Sequence, residues 1–346
     1  MKNKFLVGVI TVFVTLVLCI FVLNIIKPSK DDYYFERKFV NQNILLFEKQ
    51  YEKMYKSEFL MSIRSDNQII ERNRKIIGNS ANYELYFNNF DFKDKMTKKI
   101  SLKNDCDIIF CNKTRLFYRQ KFKLFEYLLD SNAIINIGLD NLIAYAIKPV
   151  NDSNYLCFGE LFLNNEYTTG FFIINFETKK IKQSKVLEIS KTSEITKNAL
   201  AYSGFFTNSF EKDKIIYCCN KYSKVYFFDA NGIFKKELTT NDKVPLPKIS
   251  QNNIGDNFYN RSATWNNNMG LFIKNNNIYI CSIRTDLDST IIIDKYSYER
   301  MCYIQSYKLN YNKLNAFKIS KIFINKNRIL FGFDSYYASF KFSRYI

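Results

Sequence analysis

Hydrophobic residues in this chain form one long uninterrupted run at the start and many short runs after it. Residues 5–26 read FLVGVITVFVTLVLCIFVLNII, which is 22 residues without a charge. At about 1.5 Å per residue, a helix of that length spans roughly 33 Å, enough to cross the hydrocarbon core of a bilayer. The run predicts a transmembrane anchor, which we place at residues 1–30.

Three kinds of N-terminal segment share this composition. A cleaved signal peptide has a shorter apolar stretch and small residues at its cleavage site, whereas here the run ends in Ile-Ile-Lys-Pro. A lipoprotein signal places a small residue just before its cysteine, but Cys19 follows a valine and a leucine. An uncleaved anchor is therefore favoured.

The orientation of this anchor is set weakly by charge, because lysines flank both ends of the run. A short N-terminal tail usually stays inside, which puts the body outside the cytoplasm. In a bacterium, we expect a single-pass protein of the inner membrane with its body in the periplasm or another extracytoplasmic space.

Residues 31–56 form the connection between the anchor and the body. Between residues 41 and 55, apolar side chains at Ile44, Phe47, Tyr51 and Met54 recur at helical spacing. This pattern predicts a juxtamembrane stalk or short helix, with a first strand as the alternative.

From residue 57 onward, short runs rich in aromatic residues alternate with turns of Asn, Asp, Lys and Ser. Most runs are five to seven residues long, which is typical of an all-β sandwich, barrel or propeller. The predicted strands are 58–63, 83–88, 107–111, 115–119, 142–147, 170–175, 214–219, 224–229, 277–282, 290–296, 301–307, 318–324, 328–333 and 336–342.

A repeated unit of strands favours the propeller among these folds. Residues 214–238 read KIIYCCNKYSKVYFFDANGIFKKEL, three strands joined by short polar turns. Residues 277–307 repeat the plan, residues 170–189 give its second half, and residues 107–129 give a compact version. Such a meander describes a propeller blade, which buries its faces only against neighbouring blades. We predict six blades within a range of five to seven over residues 57–346, with a β-sandwich carrying long insertions as the alternative.

The repeated units also resemble a known group of proteins. Residues 224–238, with the turn Asp229-Ala230-Asn231-Gly232, look like the six-bladed propellers of the TolB-like and NHL-like kind. Residues 260–342 resemble uncharacterised membrane-tethered bacterial proteins in which a segment like 290–307 precedes a final strand pair like 318–342. The resemblance implies an extracytoplasmic propeller used for binding, and it brings no substrate and no functional residues.

Composition adds a strong positive charge and one exclusion. The net charge of +18 attracts anionic partners such as lipid headgroups, acidic glycans or nucleic acid. The basic residues are dispersed, which favours a solvated surface enlarged by the codon usage of an AT-rich genome, with anionic membrane as the alternative. An extracytoplasmic body disfavours nucleic acid. The chain has no histidine, which excludes His-dependent triads and His metal sites.

The cysteines allow two interpretations. Seven lie in the body, so they cannot all pair within one chain. Cys106 and Cys111, or Cys218 and Cys219, are the possible disulfide residues, although neighbours on a strand point to opposite faces. Buried cysteines acting as small hydrophobic residues are favoured over disulfides. No metal or cofactor site is predicted.

Candidate chemistry is sparse. Carboxylates near strand ends, which a glycosidase would need as a facing pair, are Asp229, Asp294, Glu160 and Asp334. Their separation is not fixed by the sequence, so no catalytic residue is assigned. The single tryptophan, Trp265, lies near Arg261 and Asn260, and these three form the only candidate ligand-binding set, suited to a sugar or peptide.

These observations lead to a functional prediction with two alternatives. We expect a membrane-anchored binding or scaffolding protein that recognises a protein or glycan through one face of the propeller. A propeller-fold hydrolase or lyase using carboxylates is the second possibility. An accessory subunit or sensor of a membrane complex is the third. Fold alone does not decide among them.

Overall fold

The computed structural model describes most of the body and little of the N-terminal segment. The described residues are Thr15, Leu18, 35–52, 58–60, 68–77, 80–89, 92, 95–103, 105–190, 197–208, 214–253, 256–260, 268–283, 291–309, 321–325, 327–333 and 336–344. They form 26 strands and one short helix. Residues 5–26 lie outside this part apart from Thr15 and Leu18. Across the described residues, no helix has both the length and the apolar character that a membrane crossing requires.

Twenty-four of these strands form six antiparallel sheets of four strands each, so the expected six-bladed propeller is confirmed and the β-sandwich is wrong. Each blade starts with its innermost strand. Blade 1 contains β2 (Glu58–Leu60), β3 (Gln68–Ile77), β4 (Ser80–Asn89) and β5 (Lys95–Lys103); blade 2 contains β6 (Cys106–Cys111), β7 (Arg115–Gln120), β8 (Lys123–Leu128) and β9 (Ala133–Asn136); blade 3 contains β10 (Leu142–Pro149), β11 (Asn154–Leu163), β12 (Glu166–Asn175) and β13 (Ile181–Ser190).

The second half of the ring has an insertion between its blades. Blade 4 contains β14 (Gly204–Asn208), β15 (Lys214–Cys219), β16 (Lys224–Asp229) and β17 (Phe234–Thr239); blade 5 contains β20 (Asn268–Lys274), β21 (Asn277–Ile283), β22 (Ile291–Ser297) and β23 (Tyr303–Lys308). Helix α1 (Lys197–Ala201) precedes blade 4, and the hairpin of β18 (Ile249–Gln251) and β19 (Asn257–Tyr259) follows it.

Blade 6 joins the two ends of the propeller. It contains β24 (Lys321–Ile324), β25 (Arg328–Gly332) and β26 (Tyr336–Phe342), and its outermost strand is β1 (Leu45–Glu52), paired antiparallel with β26. The helix expected around residues 41–55 is therefore wrong, and the strand alternative is right. The apparent helical period fails because Phe47 and Tyr51 do not join one buried face; β1 is an edge strand whose burial concentrates at Leu45. The propeller thus extends into the segment expected to be a stalk.

The hydrophobic core is divided into six clusters, each between two neighbouring blades. Successive side chains on a strand point to opposite faces, so one strand serves two clusters. Cys218 and Cys219 on β15 show this directly. Cys219 packs toward blade 3 with Phe171 and Tyr217, whereas Cys218 packs toward blade 5 with Ile280.

Asparagine provides tight turns in this glycine-poor chain. Asn164 and Asn165 connect β11 to β12 with φ values of 53° and 63°, and Asn275 and Asn276 connect β20 to β21 with φ values of 50° and 59°. Two consecutive residues with positive φ make the turn whose twist suits a two-residue hairpin. Asn tolerates this conformation better than other residues with a side chain, so these hairpins need no glycine.

The propeller has two faces, which we define by their turns. The upper face is the end at which each innermost strand begins; it carries the turns at 121–122, 164–165 and 220–223. The lower face carries the turns at 112–114, 230–233, 275–276 and 298–302. Helix α1 and the β18–β19 hairpin lie in connections of the upper face.

The closure of blade 6 predicts a dependence of stability on β1. Deleting residues 1–52 removes Ile44 and Leu45, which are 3% and 5% exposed. Burial of each contributes about 1.5–3 kcal/mol, and the deletion also takes Arg37 away from the buried Asp294. The thermal midpoint therefore falls by at least roughly 10 °C. The reference is the chain lacking only residues 1–34, compared by circular dichroism. Equal midpoints for the two truncations would show that the ring does not depend on β1.

Candidate functional site

The ligand-binding set expected from sequence lies at the inserted hairpin. Trp265 and Arg261 lie outside the described residues. Asn260 directly follows β19, and its backbone N–H donates to the carbonyl of Lys248 at 3.0 Å, which extends the hairpin. Tyr259 holds this hairpin against α1, since its hydroxyl donates to the Leu200 carbonyl at 2.8 Å and lies 2.6 Å from Ser203 Oγ. Asn260 therefore belongs to the upper face.

In the described part of the chain the cysteines are free thiols, including Cys106, Cys111, Cys218 and Cys219, for which a disulfide was the alternative prediction. Those four are buried, and Cys302 is exposed. Burial raises the pKa of Cys106 to about 11 and raises the pKa of Cys111 further, because a thiolate loses its hydration in the core. A protonated buried thiol is a weak nucleophile. In the described part of the chain, no three His, Cys, Asp or Glu side chains form a group that could hold a metal ion.

The thiol arrangement predicts selective labelling. In the native protein, a maleimide reagent reacts at Cys302, while Cys106, Cys111, Cys218 and Cys219 react only after unfolding, because the reagent attacks an accessible thiolate. Mass mapping of labelled peptides without reductant measures this. Peptides that remain unlabelled after unfolding, and become labelled only with reductant, would show that disulfides do form.

Two buried carboxylates each accept a hydrogen bond from a tyrosine hydroxyl. Glu71 on β3 accepts from the Tyr337 hydroxyl of blade 6 at 2.5 Å. Glu160 on β11 accepts from the Tyr145 hydroxyl at 2.9 Å. Burial, followed by the adjacent carboxylate, raises the pKa of both tyrosines. Both carboxylates are almost fully buried, at 1% and 2% exposed, and are bonded to tyrosine hydroxyls, so they are not placed to flank a sugar as a glycosidase pair does. Asp229 stabilises a turn by accepting from the Ile233 and Asn231 backbone, and Asp334 lies outside the described residues.

A buried ion pair lies between blades 4 and 5. Arg37, in the segment before β1, donates from Nε to Asp294 Oδ1 at 3.0 Å and from Nη2 to Oδ2 at 3.1 Å. Their side chains are only 1% and 2% exposed. Ser306 Oγ donates to the same carboxylate at 2.5 Å. Burial alone lowers the pKa of Arg37, but the Asp294 carboxylate outweighs it and the pKa is raised.

A second buried carboxylate supports this region from blade 4. Asp242 accepts from Thr240 Oγ1 at 2.5 Å and from Ser223 Oγ at 3.0 Å. Its charge also contributes to the raised pKa of Arg37. The backbone N–H of Asn241 donates to the Tyr296 hydroxyl at 3.1 Å, which connects the blade 4 loop to β22. The network fixes the N-terminal segment to the ring, and its two carboxylates, Asp294 and Asp242, have a structural role.

This network predicts a large effect from one substitution. Arg37→Met leaves Asp294 buried without its counter-charge, which costs about 3–5 kcal/mol. Thermal or urea unfolding measures the loss. Lys98→Met is the control, because Lys98 and Asp130 form an exposed pair with side chains 31% and 71% accessible, worth at most about 1 kcal/mol. Adding Asp294→Leu to Arg37→Met restores part of the stability; equal effects of Arg37→Met and Lys98→Met would contradict the importance of the buried pair.

The upper face presents exposed apolar side chains on several blades. Phe122 lies in the β7–β8 turn of blade 2 and is 56% exposed. Phe162 and Leu163 end β11 in blade 3, at 39% and 51% exposed, and the Phe162 ring lies 4.6 Å from that of Tyr167. Ile189 ends β13, and Phe258 projects from the inserted hairpin. We call these five side chains the upper apolar set: Phe122, Phe162, Leu163, Ile189 and Phe258.

The sequence analysis missed this set. Exposed Phe and Leu were indistinguishable there from core residues, because in the sequence they continue the alternation of their strands or adjoin it. The usable signal was position: each side chain is at or beside a turn of one face. At the lower end of the ring, the exposed large apolar side chains of the described residues are Ile233 in a turn, and Leu46, Phe47 and Ile134 near the starts of β1 and β9.

No family model matches the sequence, and no curated protein does so significantly. Similar solved structures include a member of the DUF4221 family from Bacteroides vulgatus, 9% identical over 86% of this chain and 98% of its own, with a TM-score of 0.42. YCF48, solved with a D1 peptide, is 9% identical over 89% of this chain and 100% of its own, with a TM-score of 0.40.

A third similar structure is the WD40 domain of SCAP from fission yeast. It is 9% identical over 84% of this chain and 75% of its own, with a TM-score of 0.37. At such identities the likenesses say nothing of function. The TolB-like and NHL-like resemblance and the membrane tether stay predictions, whereas the six-bladed ring follows from the strand order of this chain.

Proposed function

We propose that this protein is a membrane-anchored, extracytoplasmic binding module that recognises a protein partner through the upper face of its propeller. The propeller fold is consistent with a binding or scaffolding role. The single observation that carries the proposal is the upper apolar set on blades 2 and 3 and on the inserted hairpin. An exposed apolar patch marks an interaction site, whereas single scattered apolar side chains are normal on a protein surface.

The chemistry of the set favours a protein over a glycan. Leu163 and Ile189 have no polar atom with which to bind a sugar hydroxyl, and both are more than half exposed. A protein interface, in contrast, combines apolar and aromatic residues at its centre with a polar rim. Asn164 and Asn165, which are exposed beside Leu163, supply rim groups of that kind. No residue is assigned to catalysis.

The membrane anchor in this proposal is the apolar run at residues 5–26, which is long enough to span a bilayer. The first continuously described residues, from Phe35, pack on blade 5. Only the eight residues 27–34 separate the run from the ring. Such a short connection would keep the propeller close to the membrane, where we expect its protein partner.

The upper apolar set predicts a specific loss of binding. The triple variant Phe122→Ser, Phe162→Ser, Leu163→Ser removes apolar contacts without touching any core cluster. A partner that the wild-type chain captures from native membranes is therefore lost, or its enrichment falls at least about tenfold. Such a factor corresponds to about 1.4 kcal/mol of binding free energy. Quantitative mass spectrometry after cross-linking measures the enrichment.

A matched control is available on the rim of the ring. Ile134 and Ile135 on β9 are 55% and 41% exposed but lie on an outermost strand. The double variant Ile134→Ser, Ile135→Ser keeps the partner. If the rim variant loses the partner and the upper variant retains it, the upper face is not the binding surface.

A further inference from the structure

The lower face carries a group of cations at the point where the N-terminal segment joins the ring. Phe35 packs against Tyr303 with ring centroids 5.1 Å apart. Tyr303 begins β23, directly after the 298–302 turn of the lower face. The chain then runs upward beside β23, where the backbone N–H of Val40 donates to the Ser306 carbonyl at 3.0 Å. Phe35, where the continuously described chain begins, therefore lies at the lower face of blade 5.

Two lysines of blade 4 converge on this turn. Lys214 Nζ lies 4.0 Å from the centroid of the Tyr298 ring, and Lys236 Nζ lies 3.5 Å from it. Lys236 also donates to the Tyr298 carbonyl. The pKa of Lys236 is lowered, first by partial burial and then by repulsion from Lys214. An anion placed here would relieve that repulsion.

Further cations extend the group, and the carboxylates of Glu36, Glu299 and Asp229 moderate it. Arg300 is exposed in the same turn, and Lys38 is exposed on the segment beside β23. Glu299 raises the pKa of Lys236 slightly, but it also accepts from Asn276 Nδ2 at 2.8 Å. Nearby Asp229 pairs with Lys235 at 2.9 Å. We call the remaining four side chains the lower basic edge: Lys38, Lys214, Lys236 and Arg300.

We propose that the lower basic edge docks the propeller on a bilayer of anionic phospholipid. We assign a lipid surface as the binding partner because the connection to the proposed anchor is short. Residues 27–34 reach at most about 29 Å when fully extended. The lower face of blade 5 is therefore held within reach of the bilayer that contains the anchor. This docking rests on the proposed anchoring. It directs the upper apolar set away from the lipid, where a partner can reach it.

The experiment uses the full chain in lipid nanodiscs. Cys302 lies in the turn of the lower basic edge and is exposed, so a fluorophore on Cys302, with Cys19→Ser to remove the thiol of the predicted anchor, reports distance to an acceptor on the lipid headgroups. Discs of phosphatidylcholine are compared with discs containing phosphatidylglycerol. We expect higher energy transfer from the fluorophore to the acceptor in the anionic discs. We also expect this energy transfer to fall at high salt, because screening weakens exposed charge interactions.

Variants identify the charges responsible. Lys214→Gln, Lys236→Gln and Arg300→Gln together lower the docked population in anionic discs by at least about fivefold, since one cation at an anionic surface contributes about 1 kcal/mol. Lys214→Arg with Lys236→Arg retains docking, which separates loss of charge from loss of structure. Lys121→Gln, Lys123→Gln and Lys248→Gln, exposed near the upper face, leave it unchanged.

Three results would overturn the docking. The first is equal energy transfer in both kinds of disc, and the second is equal energy transfer in the wild-type chain and in the variant of the lower basic edge. The third is a loss of docking in the upper-face lysine variant as large as that in the variant of the lower basic edge. A chain that does not co-elute with the discs overturns the anchoring and the docking together. Loss of the protein partner in the upper apolar variant, with transfer unchanged, tests the proposed binding face separately.

Discussion

Packing of one blade against the next is the interaction on which this molecule depends. A four-stranded sheet with apolar side chains on both faces cannot be stable alone, because its faces stay in contact with water. The ring solves this by placing each face against a neighbour, which divides the core into six clusters. Phe, Tyr and Ile fill them. Phe171, for example, contacts Phe158 within blade 3 and reaches across the interface to Tyr217 and Phe228 of blade 4.

The sequence was a good guide to the strands and a poor guide to the surfaces. The period-two apolar runs located most strands of blades 2 to 6, and the adjacent Cys218 and Cys219 indicated opposite faces. The segment at residues 41–55 misled, because an edge strand has one paired side and its burial pattern is incomplete. The pattern also gave no sign that this strand would complete the last blade, since its partner β26 is about 290 residues away along the chain.

The functional features depended on contacts that no local pattern contains. Asp294 looked like a strand-end carboxylate, and only the fold places Arg37 beside it from 257 positions away. The upper apolar set is visible only when turns from different blades are known to share one face. The lower basic edge likewise needs β15, β17 and the 298–302 turn to lie side by side. Such juxtapositions are set by the order of blades in the ring.

The path of the chain ahead of blade 6 also determines how the ring would carry force. Any pull applied through the residues before Phe35 reaches the ring first at the Arg37–Asp294 pair and its backbone bonds to β23, and only afterwards at β1. The mechanical load is then shared between blade 5 and the seam of blade 6. A propeller held through this segment would resist opening at blade 6, because a buried ion pair has to break before the closing strand is strained.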